Sequence, residues 1–316
     1  MKRQILMTIL RYLHPRSAVS FWHTDVGPVL YPYETFQDYY IDLRAKTSYR
    51  GPYSPEGVPM LDYFGSIGRQ YNPCAVAQWG LGAWQRWRRG ELWAEPLFWR
   101  AVEWLRRELD VDAHGRGYWW YRFDFDAYGL SAPWASALAQ AQGMSVLLRA
   151  YHLTGEPADL QCVRQACSAM LTPVEEGGLL LEQEGNVILE EVVADRATAI
   201  LDGMMFAIFG LQDYCFVNDD ARAHVTLALC YNTLEALLPR YDLGYWSRAD
   251  LYSLDPPMPA SAFYHGLHVA QLKVLSQLSG RPLFSDYARR WEAAANSPIN
   301  RMRAFLNKVH FKFRYY

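Results

Sequence analysis

The sequence predicts an all-α fold, an incomplete α/α toroid built of helical hairpins with an irregular amino-terminal segment. Three observations lead there. Four stretches, 73–87, 134–153, 199–214 and 264–278, share a helical apolar stripe with small residues in their first turns. They recur at intervals of about 60 to 65 residues, as an internal repeat does. Each is followed by a second amphipathic helix, over 96–109, 157–171, 221–238 and 283–295.

Within each pair the first helix is the more apolar and carries close-approach residues, as in AVAQWGLGAW, ALAQAQGMSVLLRAY, ILDGMMFAIFGL and GLHVAQLKVL. The second is charged along one face, as in RAVEWLRREL and SDYARRWEAA, as an outer helix in water should be. Inner helices then line a central cleft, and the loops leading into them bring side chains to its mouth. A stack of helical repeats is the structural alternative, but long, varied connections such as 115–133 and 242–262 favour the toroid. Ahead of the repeats, the stretch from Pro15 to Arg69 is rich in Pro, Gly and Tyr and lacks a helical period. It reads as irregular chain draped over the body. The expected division is therefore 1–69, an amino-terminal helix and irregular segment, and 70–316, the toroidal domain.

Composition sets the outer bounds. The chain has 316 residues, is 51% hydrophobic and 15% aromatic, and so has ample material for a core. A formal net charge of −2 gives no bulk attraction to nucleic acid or to an acidic membrane. Neither is expected as a partner. Twelve Trp and twenty-two Tyr beside Arg and Asp suit a sugar-binding groove. Cys74, Cys162, Cys167, Cys215 and Cys230 show no metal spacing and read as reduced core thiols. The start, MKRQILMTILRYLHPRS, is too short in its apolar run for a signal-peptide core, and no run approaches a membrane span. The first helix is expected to pack on its own domain and the protein to be cytoplasmic.

Three loops hold candidate chemistry. GRGYWWYRFDFDAYG, 115–129, alternates aromatics, Tyr121 among them, with Arg122, Asp124 and Asp126, and reads as a hairpin-like loop with polar groups on one face. NVILEEVVADRATA carries Glu190 and Glu191 in an extended context just before an apolar helix. Burial there would raise a carboxyl toward neutral pH and poise it for proton transfer, whereas a solvated turn would only complement the helix N-terminus. FYHGLHV places His265 and His268 three apart beside Tyr264 at the start of an inner helix. That spacing can put two imidazoles on one face, but without a neighbouring acidic or Cys motif no metal is expected. A Tyr at that position is well placed to pass a proton into the cleft.

At these residues the chain resembles a known family. EGVPMLDYFGSIGRQYNPCAVAQWGLGAW, WASALAQAQGMSVLLRAYHLTGE, EEVVADRATAILDGMMFAIFGLQDY, LLPRYDLGYWSRADL and FYHGLHVAQLKVLSQLSGRPLFSDYARRW are similar, in order, to the carboxy-terminal part of heparan sulfate or heparosan D-glucuronyl C5-epimerases. The resemblance runs from about Glu56 almost to the end, without the β-rich domain that animal members carry. It implies an α/α barrel, no cofactor, and a uronate-containing polysaccharide as partner; a homodimer is compatible with it. Glu191 matches the family's catalytic Glu and Tyr264 its catalytic Tyr. Tyr71, Asn72, Tyr121, Arg122, Asp124, Trp134, Arg196, His265 and His268 are the expected substrate-binding residues, with Arg196, Arg122 or His268 offering charge stabilisation.

Inverting C5 of a uronic acid removes a proton beside a carboxylate and returns one to the opposite face, so two carriers and a stabiliser of the enolate-like charge are needed. Glu191 and Tyr264 are expected to meet across one cleft. The departures are also informative: Val192 and Ala249 stand where the family has tyrosines, and Asn72 stands at a further aromatic position. A polysaccharide lyase or glycoside hydrolase on the same toroid, and a binding relative without chemistry, are the alternatives.

Overall fold

In a computed structural model the described residues are 21–23, 26–30, 36–63, 65–252 and 255–315. The expected amino-terminal helix lies outside them. The described chain is mostly helical. Its helices are α1 (Pro73–Trp87), α2 (Glu95–Glu108), α3 (Ala137–Thr154), α4 (Pro157–Leu171), α5 (Leu201–Val217), α6 (Ala221–Tyr241), α7 (Ala262–Ser279), α8 (Pro282–Asn296) and α9 (Pro298–Tyr315). One antiparallel hairpin, β1 (Leu61–Tyr63) with β2 (Gly68–Gln70), precedes α1, and two more lie between helices: β3 (Asp110–Val111) with β4 (Gly117–Tyr118), and β5 (Leu180–Gln183) with β6 (Asn186–Leu189).

The helical boundaries follow local chemistry. Asn72 and Ser136 cap α1 and α3 by accepting the backbone N–H of Ala75 and Ala139, and Ser261 caps α7 through Tyr264 N. Two hairpins turn on the same punctuation, Thr154-Gly155-Glu156-Pro157 and Ser279-Gly280-Arg281-Pro282. The Gly ends one helix in the left-handed region and the Pro starts the next at its first turn. The eight expected helices are all present, within a few residues of their expected ends. The ninth, α9, was not expected: the periodic pattern was read only as far as residue 295, and Pro298 restarts a helix after the break at Ser297.

The chain divides into two compact units. The larger comprises 30–199 and 203–233. In it α1 packs against α2 and α3, and α3 against α4. A Cβ on Gly80 would lie 2.7 Å from Ala101 Cβ, and one on Gly210 would lie 2.5 Å from Ala141, so the small residues of the apolar helices are where neighbours touch. Residues 36–48 lie over these helices. Leu43 N donates to Gln85 Oε1 (2.7 Å), and Trp84 Nε1 donates to Phe36 O (2.9 Å). Arg149 of α3 pairs with Asp213 of α5 at 2.8 Å with both side chains essentially inaccessible. It also donates to Asp38 O (2.7 Å) and sits over the rings of Phe36 and Tyr39.

The smaller unit comprises 200–202, 234–316 and the described residues up to Val29. Its core gathers Tyr245, Trp246, Ala260, Ala294 and Ala304. The connection between α6 and α7 is pinned by bridges pairing Asp242 with Ser247 and Arg248 with Pro259. Trp246 Nε1 donates to Ala260 O (3.0 Å) across it. All five cysteines are free thiols; burial pushes those of Cys215 and Cys230 up to about 12.

Candidate active site

Glu190 and Glu191 part company in the larger unit. The β5–β6 hairpin turns on Glu184 and Gly185, both at positive φ, the geometry two-residue hairpins favour. It delivers the two carboxylates to the loop that precedes α5. Glu190 is only 2% exposed. Its carboxylate accepts from Thr198 N (2.9 Å), Thr198 Oγ1 (2.5 Å) and Ala199 N (3.0 Å), while its carbonyl accepts from Ala137 N (3.0 Å) at the start of α3. Burial pushes its carboxyl up, and the three donors pull it back. Glu190 is thus a clamp that closes the 190–199 loop, and it holds Ala199 at its unusual positive φ of 42°.

Glu191 is left half-buried beside Gly203 of α5. A Cβ there would stand 2.2 Å from Glu191 Oε2 and 2.6 Å from its Cβ. Only glycine leaves this carboxylate its seat. Its charge reaches Tyr121, whose hydroxyl is pushed up first by burial and then by Cys74, Tyr63 and Glu191.

Around Tyr121 the larger unit collects several expected residues. Tyr121 stacks on Trp134 with ring centres 4.0 Å apart and planes within 4°, and the two residues exchange backbone hydrogen bonds. The Tyr121 hydroxyl donates to Asn72 Oδ1 (3.4 Å), and Asn72 Nδ2 donates to the Tyr63 hydroxyl (2.8 Å). Cys74 Sγ donates to Gln142 Oε1 (3.2 Å) at the edge of this group. Alternation along the loop turns Tyr121 and Phe123 inward and Arg122 and Asp124 out into solvent. Asp124 closes its loop by accepting from Ala132 N (2.9 Å). Tyr71 instead faces Trp104 and Glu56, and Arg196 is exposed.

The smaller unit holds the other candidates. Tyr264, half-buried in the first turn of α7, shares a 2.9 Å hydrogen bond between its hydroxyl and His23 Nε2. His265 is fully buried and stacks on Trp246 at 3.7 Å. Its Nδ1 accepts from Ser247 N (3.1 Å), which leaves Nε2–H to donate to Trp291 O (2.9 Å). Burial drives its pKa down to about 3. Both nitrogens are occupied, so His265 braces the loop rather than meeting a ligand.

The same network sets the tautomer of His268. Ser247 Oγ lies 2.8 Å from the Nδ1 atoms of both histidines. Since His265 Nδ1 is an acceptor, the arrangement satisfying every group has Ser247 donate to it and accept from His268 Nδ1–H. His268 Nε2 is then left outside that network. It is buried, has no hydrogen-bond partner among the described residues, and stands 3.8 Å from Asp202 Oδ1. No acid neighbours this pair in the sequence; the fold supplies Asp202. Among the described residues no three His, Cys, Asp or Glu side chains gather closely enough to hold a metal ion.

Tyr63, His23, Gly203, Ser247 and Asp202 were not singled out from the sequence. Ser247 and Gly203 lie inside stretches that resemble the family, and a Gly one turn into an apolar helix after paired carboxylates was the available signal. His23 carried none.

The sequence profile described as the D-glucuronyl C5-epimerase C-terminus matches residues 113–293, more than half of the chain. The chain belongs to this epimerase family. The match contains Glu190, Glu191, Gly203, Ser247, Tyr264 and His268, whereas His23, Tyr63 and Asn72 precede it. Among curated proteins, a D-glucuronyl C5-epimerase of Caenorhabditis elegans is 28% identical over 173 residues, 50% of this chain and 28% of its own length. An uncharacterized protein of Methanocaldococcus jannaschii is 28% identical over 177 residues, 55% of this chain and 56% of its own. The chain therefore spans about half or less of these relatives.

Proposed function

We propose that this member of the epimerase family inverts C5 of uronosyl residues in a polysaccharide, D-glucuronosyl residues first, with Glu191 and Tyr264 as the two proton carriers. The observation that carries the reading is the division between the paired carboxylates. Glu190 gives its acceptor capacity to its own loop, while Glu191 keeps a half-buried seat against bare Gly203. Abstraction beside a carboxylate needs a base held at the ring face, and Glu191 is the member of the pair placed to serve. Tyr264, hydrogen-bonded to His23, has a partner that can take or return its proton. His268, with Nε2 open beside Asp202, can carry positive charge toward the enolate-like intermediate. The name of the nematode relative supports the choice of substrate. The α/α toroid, and a domain running from residue 70 to the end, belong to the same proposal.

Two family tyrosines are replaced, by Val192, which is 1% exposed, and by Ala249, whose carbonyl accepts from Leu201 N (3.0 Å). These changes favour a uronate polymer with fewer hydrogen-bonding demands than that of the animal enzymes. The test is incubation with a panel of uronate-containing polymers in deuterated water, read by NMR at C5. Deuterium entering C5 with inversion and without chain cleavage supports the epimerase. An unsaturated product absorbing in the near ultraviolet would mark a lyase, and absence of exchange on every polymer would leave a binding protein. Glu191→Gln should stop exchange and inversion together. Tyr264→Phe should abolish inversion yet leave slow exchange with retention, because the base survives. Inversion persisting in either folded variant removes that residue from the mechanism.

A further inference from the structure

The helix the sequence did not announce, α9, is apolar on two opposite sides. At about 100° per residue, Ala304 and Phe311, both buried, face the body of the smaller unit. Asn307 Nδ2 donates to the Tyr245 hydroxyl (2.6 Å) and Lys308 Nζ to Pro259 O (2.8 Å), fixing the helix in place. On the far side Ile299, Met302, Leu306 and Phe313 fall within one narrow arc, 79%, 56%, 57% and 65% exposed. A shallow groove runs along Ile299, Met302 and Leu306 between Pro298 and Arg303. Arg303, His310 and Arg314 line one side of this stripe; on the other, Arg301 and the half-buried Lys312 lie beyond Phe305 and Val309, and the helix contains no acidic residue.

We infer that the outward face of α9 is a docking surface for an anionic lipid membrane, lying in the plane of the headgroups. An outward apolar stripe gains nothing from water, and it needs an apolar phase in which to rest. Flanking cations select a negatively charged one, and apolar residues edged by Arg and Lys are what an interfacial helix presents. A second copy of the chain fits poorly, because pairing two such stripes would align cations with cations and no carboxylate on α9 could answer them. A soluble polyanion fits poorly too, since it would satisfy the cations and leave Leu306 and Phe313 in water. Overall net charge gave the expectation of no membrane contact; it concealed this local patch. The helix would lie on the bilayer, not cross it, as no helix among the described residues is long and apolar enough to do so.

The full chain should cosediment with phosphatidylcholine vesicles containing phosphatidylglycerol and not with phosphatidylcholine alone, and added salt should weaken the association. Each cation near an anionic surface strengthens binding about fivefold. Arg301→Gln with Arg314→Gln should therefore weaken it by more than tenfold. Leu306→Ser with Phe313→Ser should weaken it at least as much, with circular dichroism and the thermal midpoint unchanged because all four side chains are exposed. No association with the anionic vesicles overturns the inference. So does association that survives both double variants, or a solution dimer by light scattering that Leu306→Ser with Phe313→Ser dissociates.

Discussion

Adjacent carboxylates with different fates give the sharpest contrast among single residues. Glu190→Gln puts an amide N–H against the donors of Thr198 or Ala199, so it should lower stability by about 2 kcal/mol in urea unfolding and lower activity only through the displaced loop. Glu191→Gln should leave the unfolding midpoint near the parent's and remove C5 exchange. Equal loss of stability in both would refute the division of roles. His265 supplies a pH test. Its folded pKa, near 3, lies below the ordinary value of 6.5, so the unfolded chain binds the extra proton. The resulting stability is complete above pH 6.5 and falls as pH drops toward 3, by about 1.4 kcal/mol per pH unit at the steepest. Denaturant midpoints from pH 7 to pH 4 in the parent and in His265→Gln would read this, and a variant that keeps the full slope would exonerate His265. Family likeness and chemistry coincided on Tyr264 and Glu191, which is why the sequence alone singles them out as candidates. A histidine that meets a ligand and one buried for bracing are spelled alike in sequence; for His265 the structure adds burial and the Trp246 stack.

At the scale of elements, helices were more legible than what lies between them. Proline in the first turn starts α1, α2, α4 and α8, and a left-handed glycine ends α3 and α7, whereas α5 and α6 declare themselves by the apolar period alone. The clamp on the 190–199 loop depends instead on Thr198 reaching back eight positions to Glu190, a choice the local sequence does not force. Helix α9 went unread because it adds a single helix after the fourth pair, outside the repeat, and Pro298 follows a break in the helix at Ser297. The meeting of α5 with Glu191 yields a prediction for a residue that performs no chemistry. Gly203→Ala should raise the intrinsic helix propensity by about 1 kcal/mol while driving the Glu191 carboxylate from its seat. The expected result is a folded protein with little change in thermal midpoint and at least a tenfold loss of C5 exchange. Undiminished exchange would mean that Glu191 does not need that position.

For the molecule as a whole, the predominance of helix was legible from the repeat, while the ties that hold the larger unit together were not. Arg149 and Asp213 sit 64 positions apart in two apolar helices, where each looks like an anomaly until the other is seen. Asp213→Ala would strand the guanidinium and deprive the Tyr40 hydroxyl of its 2.7 Å acceptor. It should cost about 3–5 kcal/mol, measured as a fall in the urea midpoint, with residues 36–48 becoming protease-sensitive first. An unchanged midpoint would show that the pair is energetically neutral. The bond between Tyr264 and His23 joins residues 241 positions apart, and that separation has a consequence during synthesis. At ordinary elongation rates of about 5–20 residues per second, His23 leaves the ribosome roughly 10 to 50 s before Tyr264 is made. Through that interval the nascent chain carries His23 without Tyr264, and the pair can form only after the start of α7 has itself left the ribosome.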